Sequence, residues 1–288
     1  MKGGTLLVLI LFVLLLTCWL VAPAWSEWMA LALMICAGIP HGSFDLRVAE
    51  AKWREGGVSR LTILSGYLLC VVGMSALCVF FPSVGLALFL FISALHFAEG
   101  EKDSTSRWSG ARGGLFGVGA ILLPIGLHVD QAQAYVSYFI PAGTFESLEG
   151  ILVITARVAA FIMAAFLARD VISQTTRTSP DTIERLVCLV AWIILPPLSG
   201  FAVWFIGRHS RQHLEVCQEM FAGSRFGIPF DFAAISALAI IGLLPFAALF
   251  DFSQIEQLFA ASICLIAGLT LPHMIVSHGM RDMERSSV

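Results

Sequence analysis

The chain has 288 residues, of which 58% are hydrophobic and only 13% charged, with a mean hydropathy of +0.87. Soluble domains carry about 25% charged residues, so this composition excludes a soluble fold and predicts one polytopic membrane domain over residues 1–288. The chain also carries no basic cluster of the kind that binds nucleic acid.

A spanning helix needs about 20 mostly apolar residues. Read in chain order, the apolar runs predict an all-α integral membrane bundle of about ten transmembrane helices (eight to ten). The expected spans are 5–24, 27–43, 60–81, 83–99, 113–130, 148–168, 183–196, 198–217, 229–250 and 254–278. Pro82 separates the third from the fourth, Pro196 and Pro197 the seventh from the eighth, and a polar and aromatic stretch, 131–147, follows the fifth. Ala22-Pro23-Ala24 resembles a signal-cleavage site, but the preceding apolar run is long for a signal, and a retained first helix is expected. Gly113 and Gly117 form a GxxxG pair that allows close helix packing.

The basic residues fall on one side of this arrangement. Lys2, Arg47, Lys52, Arg54, Arg60, Lys102, Arg107, Arg112, Arg169, Arg177, Arg185, Arg208, Arg211, Arg225, Arg281 and Arg285 all follow even-numbered spans or lie at the ends. The opposite connections hold Asp130, Glu146, Asp251 and Glu256 instead. The positive-inside rule makes the basic side, and both termini, cytoplasmic in a multi-pass protein of the cell membrane. Arg157 lies inside the sixth span and needs an internal partner or a wet cavity. None of the seven cysteines forms a CxxC pair, and all are expected as small apolar groups without disulfides.

The histidines carry the chemistry. Five of the seven, His41, His96, His209, His213 and His273, fall where spans end on the cytoplasmic side. Polar rings are costly in a membrane without a partner, and several at one depth suggest a bound metal. His209 and His213 are four apart, on one helical face. His41 follows Pro40, whose ring breaks the helical ladder and frees the imidazole to turn inward. Asp45 after His41, and Glu99 and Glu101 after His96, are carboxylates able to hold the outer nitrogen of a ligating imidazole. His128 ends a span on the opposite side, and His278 is rotated by roughly 140° from His273 on a helix, so neither is expected to join. Imidazoles suit iron, copper, zinc or nickel, and spacing does not choose among them.

The PHG and Asp block at 40–45, the His-Phe block at 96–97, the HxxxH block at 209–213 and the Pro-His-Met block at 272–274, in that order over nearly the whole length, resemble the integral-membrane β-carotene 15,15′-dioxygenases. The resemblance implies a non-haem Fe(II) enzyme that splits the central double bond of β-carotene with O2 to give two molecules of retinal. It implies His41, His96, His209 and His213 as iron ligands, with His273 as a pocket residue or a partner to a ligand. It also implies a lipid-dissolved carotenoid as substrate and a rhodopsin as acceptor of the retinal. Ala98, Glu101 and Leu46 depart from the family pattern. A non-catalytic carotenoid- or retinal-binding factor and a histidine-rich lipid hydroxylase are the competing readings, though the latter class carries His-His boxes and this chain has none.

Overall fold

The computed structural model describes residues 3–54, 56–101, 109–173, 179–220, 237–238 and 240–286. Among them all regular structure is helical. Long apolar segments have no alternative in lipid, where helices satisfy every backbone group within the segment. In chain order the helices are α1 (Gly3–Val21), α2 (Pro23–Leu33), α3 (Asp45–Arg54), α4 (Arg60–Phe80), α5 (Pro82–Gly100), α6 (Ser109–Leu127), α7 (Val129–Val136), α8 (Ala142–Ser173), α9 (Pro180–Ile194), α10 (Pro197–Trp204), α11 (Arg211–Met220) and α12 (Ile255–Ser286).

Prolines set several starts. Pro82, Pro180 and Pro197 open α5, α9 and α10, where the absent N–H is not needed and φ is already helical. Ser59 and Ser179 cap α4 and α9, each hydroxyl accepting the N–H three residues on at 3.1 Å. The start of α10 is capped from a distance: the N–H groups of Leu198 and Ser199 donate to the Glu27 carboxylate at 3.1 and 3.2 Å, and Tyr135 donates its hydroxyl to the same group at 3.0 Å.

Among the described residues, seven helical segments are long and apolar enough to cross a membrane: Gly3–Val21, Pro23–Trp53, Arg60–Phe80, Pro82–Gly100, Gly110–Leu127, Ala142–Ser173 and Ile255–His278. The chain is a multi-pass helical membrane protein. Two further expected spans are helical but of different character. α9 has 15 residues, and α10 runs through a π-helical turn, Phe205–Ser210, into α11 as a rod that carries Arg208 and Arg211. Of the expected span 229–250, residues 229–236 and 239 lie outside the described residues, and its end is a 3-10 turn, Leu244–Ala248, with Pro245 in its first turn.

Packing separates an outer shell from a centre. α8 turns Ile151, Ile154, Val158 and Phe161 outward, and α4 does so with Leu61, Leu68, Leu69 and Val72, apolar faces suited to a lipid solvent. α10 is the reverse: seven of its eight residues are buried. It packs against α1, α2, α6 and α9, while α4 packs on α12 and α6 on both α5 and α8. Gly117 of α6 lies directly against Phe97 and Ala98 of α5, where an added Cβ would come within 2.2 Å of the Ala98 nitrogen. This close crossing fixes the end of α5, beside His96.

Candidate metal centre

Five imidazoles meet where α5, α12, the rod from α10 to α11 and the end of the second span converge. Two of the segments depart from α-helix just there. A π-helical turn at Met34–Gly38 passes into a 3-10 turn, Ile39–Phe44, that carries His41, and the π-helical turn Phe205–Ser210 carries His209. Single π turns inside helices concentrate at functional sites because they swing one side chain off the regular face. His96 lies in the last turns of α5, His213 on α11, and His273 immediately after Pro272 within α12.

The rings form a closed circuit. Centroid separations are 5.0 Å from His96 to His209, 5.5 Å from His209 to His41, 5.7 Å from His41 to His213, 4.9 Å from His213 to His273 and 4.9 Å from His273 back to His96. His41 and His273 are 4.7 Å apart across it. A nitrogen-bound imidazole places its centroid about 3.2 Å from a metal, so two rings at 90–110° lie about 4.5–5.2 Å apart. The observed spacings fall in and just above that range. One ring nitrogen each of His41, His96 and His209 lies within 4.8 Å of the others, and the ligand atoms of Asp45, His213 and His273 meet the same limit. Nε2 of His209 is buried with no hydrogen-bond partner among the described residues, which a ligand would supply. The buried histidine clusters are therefore able to hold a metal.

Around His209 the wall is aromatic. Trp204 and Phe205 stack on its ring at 5.2 and 5.8 Å, and Phe97 meets it edge-on at 4.8 Å. Gly100 at the end of α5 faces the same ring, where an added Cβ would sit 3.7 Å from Nδ1.

Two of the carboxylates expected to serve His41 and His96, Asp45 and Glu101, have other partners. Asp45 is buried; its Oδ1 is 2.8 Å from Nδ1 of His273, and its Oδ2 accepts the Tyr67 hydroxyl at 2.9 Å. Glu101 is also buried and belongs to an ion network. Arg208 donates to both of its oxygens at 2.8 and 2.9 Å, Trp204 donates its indole N–H at 3.1 Å, and Arg185 lies at 3.3 Å. Arg208 reaches Glu184 and Asp181 as well, and Arg211 joins Glu184 to Glu215. Burial alone would raise the Glu101 carboxyl, but the Arg208 and Arg185 guanidiniums hold it below its ordinary value. Glu99 is half-buried on α5, three residues after His96.

The other polar groups are elsewhere. His128 begins α7, eleven residues or roughly 16 Å along the chain from Gly117, which marks the level of Ala98. Its Nε2 is 3.1 Å from the Trp192 carbonyl. Arg157, expected to need a partner or a cavity, lines a cavity of about 340 Å³ with His128, Asp130 and Gln131. His278 is exposed near the end of α12. Sequence reasoning missed Tyr67 and Trp204, and counted Arg208 only among the basic residues of the cytoplasmic side, whereas it is 2% exposed. Tyr67 is one of three tyrosines, in an otherwise apolar span, and that was the available signal.

The sequence model of a family described as "Beta-carotene 15,15'-dioxygenase" matches residues 32–281. Among curated proteins, the chain is 29% identical over 280 residues to a "Probable beta-carotene 15,15'-dioxygenase Blh" of Halobacterium salinarum, covering 83% of this chain and 79% of that protein. It is 28% identical over 197 residues to a "Beta-carotene 15,15'-dioxygenase" of an uncultured marine bacterium, covering 65% of this chain and 68% of the relative. No solved structure matches.

Proposed function

Because the chain belongs to the β-carotene 15,15′-dioxygenase family, we propose that it cleaves the central double bond of β-carotene, or a close carotenoid, with O2. One C=C and one O=O bond break, and each half of the substrate leaves as an aldehyde, retinal, with one oxygen atom. The observation that carries this reading is the closed circuit of five imidazoles, three buried and two half-buried, at the meeting point of apolar helices. His41, His96, His209 and His213 would hold a non-haem Fe(II). Bound there, the iron would supply the electrons that make O2 reactive toward a hydrocarbon, which no side chain in the site can do.

The rest is the work of the chain. Phe97, Trp204 and Phe205 clothe His209, keep water from its ring and favour the neutral, ligating form. The Glu101 carboxylate fixes Trp204 and Arg208 behind that wall. Gly117 admits the backbone of α5 at Phe97 and Ala98 and so holds the turn that carries His96. The substrate is a rigid hydrocarbon dissolved in lipid, and outward apolar helices let it approach from the bilayer of the cell membrane. In this reading residues 1–288 form one domain. About ten crossings, α9 and the α10–α11 rod among them, would put both termini and the histidines on the cytoplasmic side. A rhodopsin is the natural acceptor of the retinal.

The test is expression in a β-carotene-producing host, with retinal and residual β-carotene quantified and metals measured on the purified protein. Retinal formation with co-purifying iron supports the proposal. Carotenoid that co-purifies uncleaved, with no retinal, replaces it with a binding role. Oxidised lipid without retinal replaces it with a hydroxylase.

A further inference from the structure

The four histidines assigned above do not close the circuit by themselves. His96 and His213 each meet His273, at 4.9 Å in both cases, and His273 is also the nearest of the four rings around His41. His273 is 5% exposed and is held in a definite orientation. Its Nδ1 lies 2.8 Å from Asp45 Oδ1, and the other Asp45 oxygen accepts from Tyr67 at 2.9 Å. A carboxylate against Nδ1 makes that nitrogen the N–H donor and leaves the ring's lone pair on Nε2. A carboxylate behind an imidazole whose far nitrogen binds metal is the usual way in which ligand tautomer and basicity are set. Ser277 Oγ, one turn further along α12, is 3.4 Å from Nε2, a long contact that a stronger bond would displace.

The backbone is fitted to this pair. An added Cβ at Gly42 would sit 3.2 Å from Asp45 Oδ2 and 3.7 Å from His273 Nδ1, so the residue after His41 has to be small for the carboxylate to reach across to α12.

We propose that His273 is a fifth nitrogen ligand of the same metal, with Asp45 and Tyr67 as its positioning residues. This rests on the metal reading above and extends it. The alternative division of the cluster is a second ion held by Asp45, His213 and His273, which meet the same distance limit and form a two-histidine, one-carboxylate set. The hydrogen bonds favour the single metal: both Asp45 oxygens are engaged, one by His273 and one by Tyr67, in the pattern of a carboxylate that orients a ligand.

The test uses the full-length protein in detergent, loaded with Co(II) as a spectroscopic stand-in for iron. Metal stoichiometry, affinity by chelator competition and the Co(II) absorption bands are compared for wild type, His273→Ala, Asp45→Asn and Tyr67→Phe. Size-exclusion elution and far-UV circular dichroism check folding. We expect one metal per wild-type chain. His273→Ala should lose at least tenfold in affinity with shifted bands, and added imidazole should restore the bands. Asp45→Asn should lose roughly 10–100-fold in affinity, and Tyr67→Phe less. If His273→Ala does not fold, Asp45→Asn and Tyr67→Phe carry the test, since they leave the ring in place. Wild-type affinity and spectrum in His273→Ala, or in both Asp45→Asn and Tyr67→Phe, overturn this inference alone. Two metals in wild type and one in His273→Ala overturn it in favour of a second site. A wild-type protein that takes up no metal overturns the metal reading together with this one.

Discussion

Two polar clusters, each with a buried centre, lie side by side in this molecule, and they are built in opposite ways. The ion network sets the guanidiniums of Arg185, Arg208 and Arg211 against Glu101, Asp181, Glu184 and Glu215. The imidazole cluster has no such opposite charges among its five rings. The network answers its own charges with bonds inside the protein, the condition under which buried charge is tolerated. The imidazole cluster leaves Nε2 of His209 buried without a hydrogen-bond partner among the described residues, a position that a bound metal could fill. Trp204 belongs to both: it donates to Glu101 and stacks on His209. In the proposed reading one cluster is scaffold and the other is site, and Trp204 is the contact through which the first would hold the second in place.

The comparison breaks most visibly at His209. His209→Ala should abolish metal retention and retinal formation while the protein stays inserted in the membrane, because the scaffold cluster is untouched. His278→Ala, at equal protein level, should be close to silent. Metal analysis and retinal yield check both. Equal losses in the two variants would show that the cluster is not a distinct site.

A smaller effect is expected from Glu101→Gln. It leaves the Arg208 guanidinium buried with part of its counter-charge removed, at a cost of about 3 kcal/mol. Thermal denaturation in detergent should register this, with metal affinity falling less than in His209→Ala. If stability is unchanged and the metal is lost, Glu101 serves the site directly and the two clusters are one.

The smallest effect concerns acid. The Glu101 and Asp181 carboxyls would be raised by burial, but Arg208 and Arg185 hold both below their ordinary values. Groups depressed in the folded state stabilise it fully above their unfolded values, about pH 4. That contribution is lost as pH falls through the lower, folded values. Melting temperature should therefore drop below about pH 4, and Asp181→Asn should make the drop shallower. An equal slope in that variant would remove Asp181 from the network.

Much of the architecture was legible in the chain. Apolar runs and prolines placed the helices, and the seven among the described residues that are long and apolar enough to cross a membrane all lie on expected spans. α9 and the α10–α11 rod were harder to read. Their hydropathy resembles that of a short span, whereas α10 is buried by its neighbours and the rod carries charge into the interior. The Pro-His and HxxxH blocks marked which side chains to follow. The partners of Asp45 and Glu101 were misread, because a carboxylate four or five residues from a histidine invites a local pairing.

What the sequence determined by itself is the helical, membrane-embedded character of the protein and the level at which its histidines lie. Both follow from short-range physics: backbone groups in lipid must bond within their own helix, and the hydropathy of a segment sets where it ends. What only the tertiary structure decided is which groups meet. Asp45 and His273 are 228 residues apart and Glu101 and Arg208 are 107 apart. The π-helical turns that aim His209 and precede His41 exist because neighbouring helices repay the irregular backbone. Those contacts depend on how the helices cross, and a crossing such as that of Gly117 against Ala98 is set by the packing of two distant surfaces, which no local pattern in either helix specifies.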